Sequence, residues 1–515
     1  MRTTQWPSRS STLNFTPLAT SQPAAIISIM PSDAVSRPSP RRIAAALAVL
    51  ALTGTPAVAQ FTPRFQTLAP FSVSIGADPG KHSFVLADVN DDRLLDVITI
   101  EPDQTRVDVY INQGNGTFDL VSTPGLANDV TPTSVAVGDI GSPFASDQAG
   151  KPDGFPDIVV GGDGGEVEVL FGHNDGQFDT PSDSEVLEPN ATSDIVGLVT
   201  GDFDEGNGID VAVLDADGLV LLCNDGNGKL SACTGDTALG VGGAAPSKIV
   251  SGDFNADANL DVAVLNPDEQ NVGILLGHGD GTFEAVTTVD VTAEATDPND
   301  FTSDMAVARM DSDNIDDIVA VNNSAFNQFF GAIVLGASSG RFRVSNTFVT
   351  DFMATAITLA DFDAAADRAT DAIIGYEDQS PSAVIGDGTG DLGDPFTANG
   401  TGQISSSSVM AAGNLGGDTL PDFISLSFDG TQMRVAINHS NDPTPTPGTM
   451  TPSPGTTPSP TVTGPQPPTG TITPSSTATF TVTPTATPTP IPTADYGRCD
   501  GQVGSNLAAV AAGDL

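Results

Sequence analysis

An aspartate-rich phrase that recurs along the chain constrains its fold more than any other feature. The phrase reads Asp-x-Asn-x-Asp-x-x-x-Asp at Asp88–Asp96 and again at Asp253–Asp261, and each copy lies between two short apolar runs. Successive copies begin 51, 63, 51, 56, 52 and 53 residues apart. Their first positions are Asp88, Asp139, Asp202, Asp253, Arg309, Asp361 and Asn414. A period of this length indicates a repeat architecture in which one supersecondary unit recurs.

A glycine-rich turn, usually ending in an aromatic residue, follows each phrase, as at Gly114–Phe118. Such turns between apolar runs are strong hairpin signals. In the second unit we predict strands at Ser134–Val137, Asp157–Val160 and Val167–Gly172, and a fourth strand starting near Phe178. Four short antiparallel strands per repeat are typical of a β-propeller blade.

The last unit predicts how the ring closes. It has strand-like runs at Ser408–Ala412, Phe423–Ser427 and Met433–Asn438, and then meets a proline tract before a fourth strand can form. The missing fourth strand is predicted at the other end of the repeat region. There, Arg64-Phe65 and then Phe71–Ile75 resemble the turn end and fourth strand of the other units. We therefore predict an all-β, seven-bladed β-propeller of four-stranded antiparallel blades over residues 60–442, with the last blade closed by the N-terminal strand.

Several phrases resemble those of a known family. Val137-Gly138-Asp139, Gly201-Asp202-Phe203-Asp204 and Gly252-Asp253-Phe254-Asn255 are similar to the FG-GAP/VCBS repeats of integrin alpha-chain-like β-propellers. The resemblance covers roughly residues 61–442 and implies the propeller fold. Because that family includes adhesins, lectins, lyase scaffolds and surface proteins, it does not imply one function.

The phrase also predicts metal binding, since carboxylates at alternating loop positions can surround a hard cation with oxygen ligands. Units one and four offer side chains at the first, third, fifth and ninth positions, whereas unit three has Gly206 at the fifth. The sixth position, where glycine would ease the turn, is Arg93 or Ala258. The predicted ligands are Asp88, Asn90, Asp92, Asp96, Asp202, Asp204, Asp210, Asp253, Asn255, Asp257 and Asp261.

Flexible loops of oxygen ligands suit Ca²⁺ better than Mg²⁺, and we expect several structural calcium sites with Kd of about 10⁻⁴ to 10⁻³ M. The other units are expected to be weaker sites. Units two and six are interrupted by insertions, and unit seven begins with Asn414. Unit five begins with Arg309, which could place its own cation in the loop beside Asp311, Asp313 and Asp317.

The composition excludes some partners. With 18 Lys and Arg and a net charge of −47, the chain lacks the basic surface that nucleic acids require. Anionic membranes are disfavoured for the same reason. Two explanations of the acidity stay open together: cation-binding loops, and a solvated acidic surface that keeps the protein soluble.

The first 59 residues are predicted to be a leader with a secretion signal. Arg41-Arg42 precede the apolar run Ile43–Leu52, and Ala57-Val58-Ala59 forms a small-x-small cleavage pattern. Translation is expected to begin at Met30, and the arginine pair leaves the twin-arginine export route as an alternative. The apolar run is too short to span a bilayer, so we predict no transmembrane segment and a secreted or cell-surface location.

Residues 443–494 form a Thr/Pro-rich linker, which we expect to be an extended, semi-rigid spacer. The segment 495–515 ends in Val510–Leu515, which matches the entry to an acidic phrase at Val135–Ile140. We interpret it as the start of a truncated further module or repeat, with an ordinary tail as the alternative.

Three cysteines are present. Cys223 and Cys233 flank one hairpin turn and are expected to form a disulfide in a secreted chain, with two free thiols as the alternative. Cys499 is left over and is assigned to the missing module.

Two functions of different classes remain. The first is a secreted or surface calcium-binding module that engages an extracellular protein or glycan. The alternative is a polysaccharide-degrading lyase or hydrolase, or the non-catalytic propeller domain of one. His173, His278 and His439 occupy the same slot of different repeats and are interpreted as turn residues. We find no catalytic constellation and favour the binding module.

Overall fold

The structure, a computed structural model, describes part of the chain. It covers residues 63–440 except 77–79, 128–129, 142–153, 174, 180–184, 188–192, 207, 227, 234–237, 293–300, 324–329, 364–368, 399 and 403. The chain divides into two units, Met1–Val58 and Ala59–Leu515, and every described residue lies in the second. The predicted leader and its Met30 start, the Thr/Pro linker, the C-terminal segment and Cys499 lie outside the described residues.

The described strands form seven antiparallel sheets, which are the blades of a propeller. Two N-terminal strands come first, β1 (Phe65–Thr67) and β2 (Phe71–Ser72). Blade 1 contains β3 (Phe84–Ala87), β4 (Asp96–Glu101), β5 (Arg106–Asn112) and β6 (Phe118–Ser122). Blade 2 contains β7 (Pro132–Gly138), β8 (Asp157–Gly162), β9 (Val167–Leu170) and β10 (Glu185–Leu187). Blade 3 contains β11 (Ile195–Gly201), β12 (Asp210–Asp215), β13 (Gly218–Asn224) and β14 (Leu230–Ala232).

The remaining four blades repeat this order. Blade 4 contains β15 (Lys248–Gly252), β16 (Asp261–Asn266), β17 (Asn271–Leu275) and β18 (Thr287–Asp290). Blade 5 contains β19 (Phe301–Ala308), β20 (Asp317–Asn323), β21 (Phe330–Val334) and β22 (Val344–Val349). Blade 6 contains β23 (Ala354–Ala360), β24 (Asp371–Tyr376), β25 (Ser382–Val384) and β26 (Phe396–Thr397). Blade 7 contains β27 (Val409–Gly413), β28 (Asp422–Leu426) and β29 (Gln432–Asn438), together with β1 and β2.

The blades close into a ring. The first strand of each blade is its inner strand, and each inner strand contacts the inner strand of the next blade, with β27 contacting β3. The predicted all-β, seven-bladed propeller is therefore confirmed. Helical structure in the described part of the chain is a short 3-10 turn at Pro102–Gln104, and none of it has the length and apolarity that a membrane crossing requires.

Blade 7 is completed by the N-terminal strands, as the sequence predicted. Both β1 and β2 pair with β29, and Phe65 lies opposite Asn438. Further hydrogen bonds secure the seam: the Arg64 amide donates to Ser440 Oγ (3.0 Å), and the His439 amide donates to the Arg64 carbonyl (2.6 Å). The first and last described segments of the propeller therefore meet side by side.

The core lies between neighbouring blades. The second strand of most blades is buried along its whole length, as in β4 and β16, because it packs against the blade on each side. This explains why these strands are nearly continuous apolar runs. Outer strands such as β22 alternate between buried and exposed residues because one face meets solvent.

One predicted strand start was wrong. The fourth strand of unit two is β10, which begins at Glu185 and not near Phe178. Phe178 instead forms an isolated bridge with Gly172 at the base of the hairpin turn, and Phe283 and Leu392 do the same with Gly277 and Gly386. In these blades the aromatic or leucine thus closes the turn and the fourth strand begins later, whereas in blades 1 and 3 Phe118 and Leu230 are themselves the first residues of β6 and β14.

Candidate functional site

The acidic phrases form the loops between the inner and second strands of the blades. In blade 1, Asp88 organises its loop: Oδ1 accepts the Asp92 amide (3.2 Å), and Oδ2 accepts the Arg93 amide (2.7 Å). Asn90 Nδ2 donates to Asp92 Oδ2 (3.0 Å). The first side chain therefore holds the backbone of one tight turn, and the third and fifth side chains bond to each other within it.

The blade 4 loop has the same geometry. Asp253 Oδ1 accepts the Asp257 amide (3.2 Å), its Oδ2 accepts the Ala258 amide (3.0 Å), and Asn255 Nδ2 donates to Asp257 Oδ2 (2.9 Å). Two loops that are 165 residues apart in the chain thus repeat the same bonds, because they share the same polar residues at the same spacing.

The sharpness of these turns is visible in the backbone. Arg93 and Ala258, at the sixth position, have φ of 69° and 71°. This is the left-handed region that favours glycine, and each non-glycine residue there costs about 1–2 kcal/mol. The expectation that this position requires a sharp turn is confirmed.

The ninth position has a structural role that the sequence did not reveal. In blade 4, Asp261 Oδ2 accepts the Phe254 amide from the loop (2.8 Å), and Oδ1 accepts the Gly277 amide from the end of the third strand (2.8 Å). Every blade repeats this arrangement, and the carboxylate joins the loop to the third strand. The seven aspartates, all almost completely buried, are Asp96, Asp157, Asp210, Asp261, Asp317, Asp371 and Asp422.

Burial dominates the ionisation of these aspartates. It raises the pKa of Asp96, Asp210 and Asp261 to about 7, although backbone hydrogen bonds act in the opposite direction, and the neighbouring loop carboxylates raise it further. A cation in the loop would favour the ionised form instead. The predicted ligands Asp96, Asp210 and Asp261 therefore lie beside their loops, with each carboxylate oxygen already accepting a backbone amide.

Among the described residues, two groups bring three candidate ligand atoms within 4.8 Å of one another. The first is Asp204, Asp210 and Cys223, and the second is Asp361, Asp363 and Asp371. Cys223 is bonded to Cys233, so its sulfur is not a thiolate ligand. The carboxylates of blades 1 and 4 are not among these groups, although the sequence favoured those two loops as ion sites, and blade 6 brings its carboxylates together despite its insertion.

The residues of the blade 3 loop fit a calcium ion. Asp204 Oδ1 is buried and has no hydrogen-bond partner, and once the disulfide sulfur of Cys223 is set aside, the remaining candidate ligand atoms of this group are oxygens of Asp204 and Asp210. A Cβ at Gly206 would lie 2.2 Å from Asp204 Oδ1, so a side chain at the fifth position would require this carboxylate to shift. A buried carboxylate oxygen without a donor is costly unless a cation or water compensates it. Oxygen ligands alone are the donor set that Ca²⁺ prefers.

The blade 5 loop differs from the others because its first residue is cationic. Arg309 Nε lies 3.3 Å from Asp316 Oδ1. Asp316 also accepts the Asp253 amide at Oδ2 (3.0 Å), so this ion pair lies against the loop of blade 4. The sequence predicted that Arg309 lies beside Asp311, Asp313 and Asp317. Arg309 does belong to this loop, and its ion pair is with Asp316, the residue before Asp317.

The two sequence landmarks of the repeat meet across the blade interfaces. The second residue of each loop is buried, and in four loops its carbonyl accepts a hydrogen bond from a backbone amide in the hairpin turn of the following blade, as Leu415 does from the Gly116 amide (2.9 Å) and Met310 from the Gly390 amide (3.0 Å). Equivalent bonds join Phe203 to Gly281 and Phe254 to Ala337. The conformation of an acidic loop is therefore coupled to the neighbouring blade.

The inner strands surround a central channel with a cavity of about 420 Å³. Half-buried apolar side chains from different blades line it, including Val85, Val137, Val250, Ala306 and Ala411. One end of the cavity reaches the acidic loops at Asp88 and Asp91, and the other reaches Lys81, His82 and Lys248.

Two residues that precede blade 1, Lys81 and His82, cross that second end of the channel, and we name them the axial strap. Lys81 Nζ donates to the carbonyls of Ser408 (2.8 Å) and Thr355, in or beside blades 7 and 6. His82 Nε2 accepts the Ile249 amide of blade 4 (3.3 Å). Because the two side chains reach opposite sides of the ring, the strap lies across the channel.

An ion pair lies next to the strap. Lys248 Nζ is 2.8 Å from Asp304 Oδ1, and Asp304 Oδ2 accepts the Ile357 amide (3.0 Å). Burial lowers the pKa of Lys81 and, with the charge of Lys248, lowers that of His82 to about 3, so His82 is neutral at physiological pH. Burial would raise the pKa of Asp304, but Lys248 and Lys81 together outweigh it and the pKa is lowered.

Sequence reasoning missed this cluster. The available signal was the position of Lys81 and Lys248, two of the few basic residues in an acidic chain, directly before or at the start of an inner strand. His173 and His278 fit their prediction as turn residues, because their amides close hairpin turns by donating to Gln177 and Thr282, whereas the His439 amide donates to Arg64 at the seam. The Cys223–Cys233 disulfide is also confirmed, at the edge of blade 3.

Comparisons with known proteins support the repeat assignment. The FG-GAP-like repeat family matches residues 54–142 and 253–320. No curated protein matches the chain.

Several solved structures are similar to this chain at low sequence identity. A lectin from Burkholderia pseudomallei is 14% identical, with a TM-score of 0.50 over 70% of this chain and 96% of the lectin. An Agrocybe aegerita lectin that recognises non-reducing terminal N-acetylglucosamine is 14% identical, with a TM-score of 0.44 over 72% and 100%. BBS1N, solved in complex with ARL6DN, is 11% identical, with a TM-score of 0.47 over 72% and 96%.

Proposed function

Because the chain is an FG-GAP repeat β-propeller, we propose that it is a secreted or cell-surface binding module whose acidic loops take Ca²⁺ and which engages an extracellular protein or glycan. The calcium ions would be structural. In this proposal the protein acts by binding and not by turnover. The predicted secretion signal supports the location, and the net charge of −47 disfavours nucleic acid and anionic membranes as partners.

The observation that carries the proposal is the repeated loop geometry of blades 1 and 4. In both loops the first-position aspartate holds the turn through its backbone amides, and the third and fifth side chains bond to each other. The blade 3 loop adds a buried carboxylate oxygen without a hydrogen-bond donor. A cation bound by these side chains would offset their mutual repulsion and stabilise the loops.

Calcium titration of the full chain tests the metal part of the proposal. We expect the melting temperature to rise with Ca²⁺, at concentrations near the expected Kd of about 10⁻⁴ to 10⁻³ M, and to rise much less with Mg²⁺. The double variant Asp92→Ala plus Asp257→Ala should lose much of this rise in melting temperature, because two loops lose the predicted ligand at their fifth position.

A matched control removes the same charge elsewhere. Glu377→Ala plus Asp378→Ala takes two carboxylates from an exposed turn outside the loops and should keep the full calcium response. An equal response in both double variants, or none in the wild-type protein, would show that the aspartates serve only the turns and solubility.

The binding part of the proposal needs a separate measurement. The purified chain, with and without calcium, would be screened against arrays of glycans and extracellular proteins, and against neutral and polyanionic polysaccharides for turnover. Saturable binding without turnover is expected. Turnover that survives purification and is abolished by a point substitution would make the polysaccharide-degrading alternative the correct one.

A further inference from the structure

We propose that the central channel is a binding site for a slender organic carboxylate, with the apolar body of the ligand in the channel and its charged end beside Lys81 and Lys248. The charged end of the ligand would lie at the opposite end of the cavity from the acidic loops at Asp88 and Asp91.

The first argument is the shape and lining of the cavity. Its volume of about 420 Å³ lies within the range of about 300–1,000 Å³ that small-molecule sites occupy. Its walls carry apolar side chains from all seven blades, among them Val85, Val250 and Ala411. The axial strap crosses one end, because Lys81 and His82 contact opposite sides of the ring. The cavity is thus an apolar site with polar groups at one end.

The second argument is the charge at the strap end. Two basic side chains, Lys81 and Lys248, face a single carboxylate, Asp304, at this end. Burial lowers the pKa of Lys81, and a carboxylate bound beside it would favour its protonated form. These two basic groups lie inside a chain whose net charge is −47. The Lys248 side chain is 13% exposed, and it lines the cavity. Positive charge held within an otherwise acidic protein selects an anionic group in preference to a cationic or neutral one.

The third argument is the number of donors. Lys81 Nζ donates to the two carbonyls of Thr355 and Ser408, and Lys248 Nζ forms its ion pair with Asp304. Each ammonium has three N–H groups. These contacts therefore leave donor capacity on both lysines beside the cavity. His82 accepts the Ile249 amide at Nε2 and is neutral, so it adds no competing charge. A carboxylate accepts such hydrogen bonds through both of its oxygens.

The probe for this site is cis-parinaric acid, a fatty acid that fluoresces in apolar surroundings, and its methyl ester is the uncharged control. We expect saturable binding of one acid molecule per full-length chain, measured with calcium present so that the acidic loops at the far end of the cavity are neutralised. The ester should bind about tenfold more weakly, because it lacks the charge that the lysines recognise.

Two variants locate the binding. Lys81→Met should reduce the affinity for the acid to that for the ester. Ala411→Phe, which fills the channel without touching the charged cluster, should weaken both probes at least tenfold, whereas Ala216→Phe in an exposed turn should change neither. If Lys81→Met does not fold, two other quantities test the proposal: the affinity of Ala411→Phe for both probes, and the ratio of the wild-type affinities for the acid and the ester. Equal binding of acid and ester, or an unchanged affinity in Ala411→Phe, would overturn the proposal and indicate an unspecific apolar surface.

Discussion

At the scale of single residues, two positions of the acidic loops look alike in the sequence but differ in burial and in role. The fifth-position carboxylates Asp92 and Asp257 are exposed, whereas the ninth-position carboxylates Asp96 and Asp261 are buried and join the loop to the third strand. Both positions carry aspartate: the ninth accepts two backbone amides, and the fifth would serve a cation in the function that we propose. Spacing alone could not separate these roles, because a carboxylate satisfies either one.

Removing a ninth-position carboxylate should destabilise the protein whether or not calcium is present. Asp261→Ala leaves the buried amides of Phe254 and Gly277 without an acceptor. We expect a loss of about 2–4 kcal/mol in the free energy of unfolding, in calcium and in EDTA alike. Urea denaturation measures it, with Asp257→Ala as the comparison, which should have a large effect only in calcium. An Asp261→Ala protein as stable as the wild type in EDTA would contradict the structural role.

The left-handed residues predict a stabilising substitution. Ala258→Gly should raise the free energy of unfolding by about 0.5–1 kcal/mol, because relief of the left-handed strain exceeds the entropy that glycine adds to the unfolded chain. The control is Ala216→Gly, at an exposed turn residue outside the left-handed set, which should be neutral or destabilising. A loss of stability in Ala258→Gly would show that the loop relaxes in solution.

At the scale of elements, the sequence predicted β27, β28 and β29 of blade 7 to within one residue, because their apolar runs are bounded by turn residues. It failed for the fourth strand of blade 2. There the aromatic at Phe178 indicated a strand, but its ring closes the turn, and the paired segment is a short run at Glu185–Leu187 with weak periodicity. The position of a short outer strand is determined more by its pairing with the neighbouring strand than by its own residues.

The closing strand depends on one aromatic side chain. Phe65 in β1 is buried and makes edge contacts with Phe423 (ring centroids 5.1 Å apart) and Phe362 (5.9 Å). We expect Phe65→Ala to cost about 3–5 kcal/mol and to speed amide hydrogen exchange in β29 more than in β16. Gln66→Ala, on the exposed face of the same strand, is the control and should change neither quantity. Unchanged exchange in β29 would mean that the seam is held by other contacts.

At the scale of the whole molecule, the pH dependence of stability should change sign with calcium. Burial raises the pKa of Asp96, Asp210, Asp261 and Asp371 to about 7 and that of Asp317 and Asp422 to about 6. Since these pKa values exceed those of the unfolded chain, the folded protein binds more protons between about pH 4 and 7.

In EDTA the melting temperature should therefore rise as the pH falls from about 7.5 to 5. His82, whose pKa is lowered to about 3, opposes this trend below about pH 6.5, and Lys81, whose pKa burial also lowers, opposes it too, but they are two groups against six. In saturating calcium the trend should reverse, because protons compete with the ion for carboxylates. Calorimetry across this pH range measures the melting temperature in EDTA and in calcium. A melting temperature that falls on acidification in EDTA would contradict the account.

The features that could not be predicted at this scale are those outside the repeat. The ring and its closure followed from seven spaced phrases, but the axial strap occurs once and contacts residues far away in the chain: Lys81 and Ser408 are 327 positions apart. Neither periodicity nor local composition encodes such a contact. Blade 6 shows the same limit, because its insertion hid the closeness of Asp361, Asp363 and Asp371.

The seam in blade 7 also determines how the ring responds to force. Phe65 lies opposite Asn438, so the chain enters β1 and leaves β29 at the same end of an antiparallel pair. If Phe65 and Asn438 were pulled apart, the hydrogen bonds between β1 and β29 would be loaded one after another, starting from this end. In shear, by contrast, all of these bonds would bear the load together. A modest pull would therefore release β1 while six blades keep their own strands, turning a closed ring into an open one.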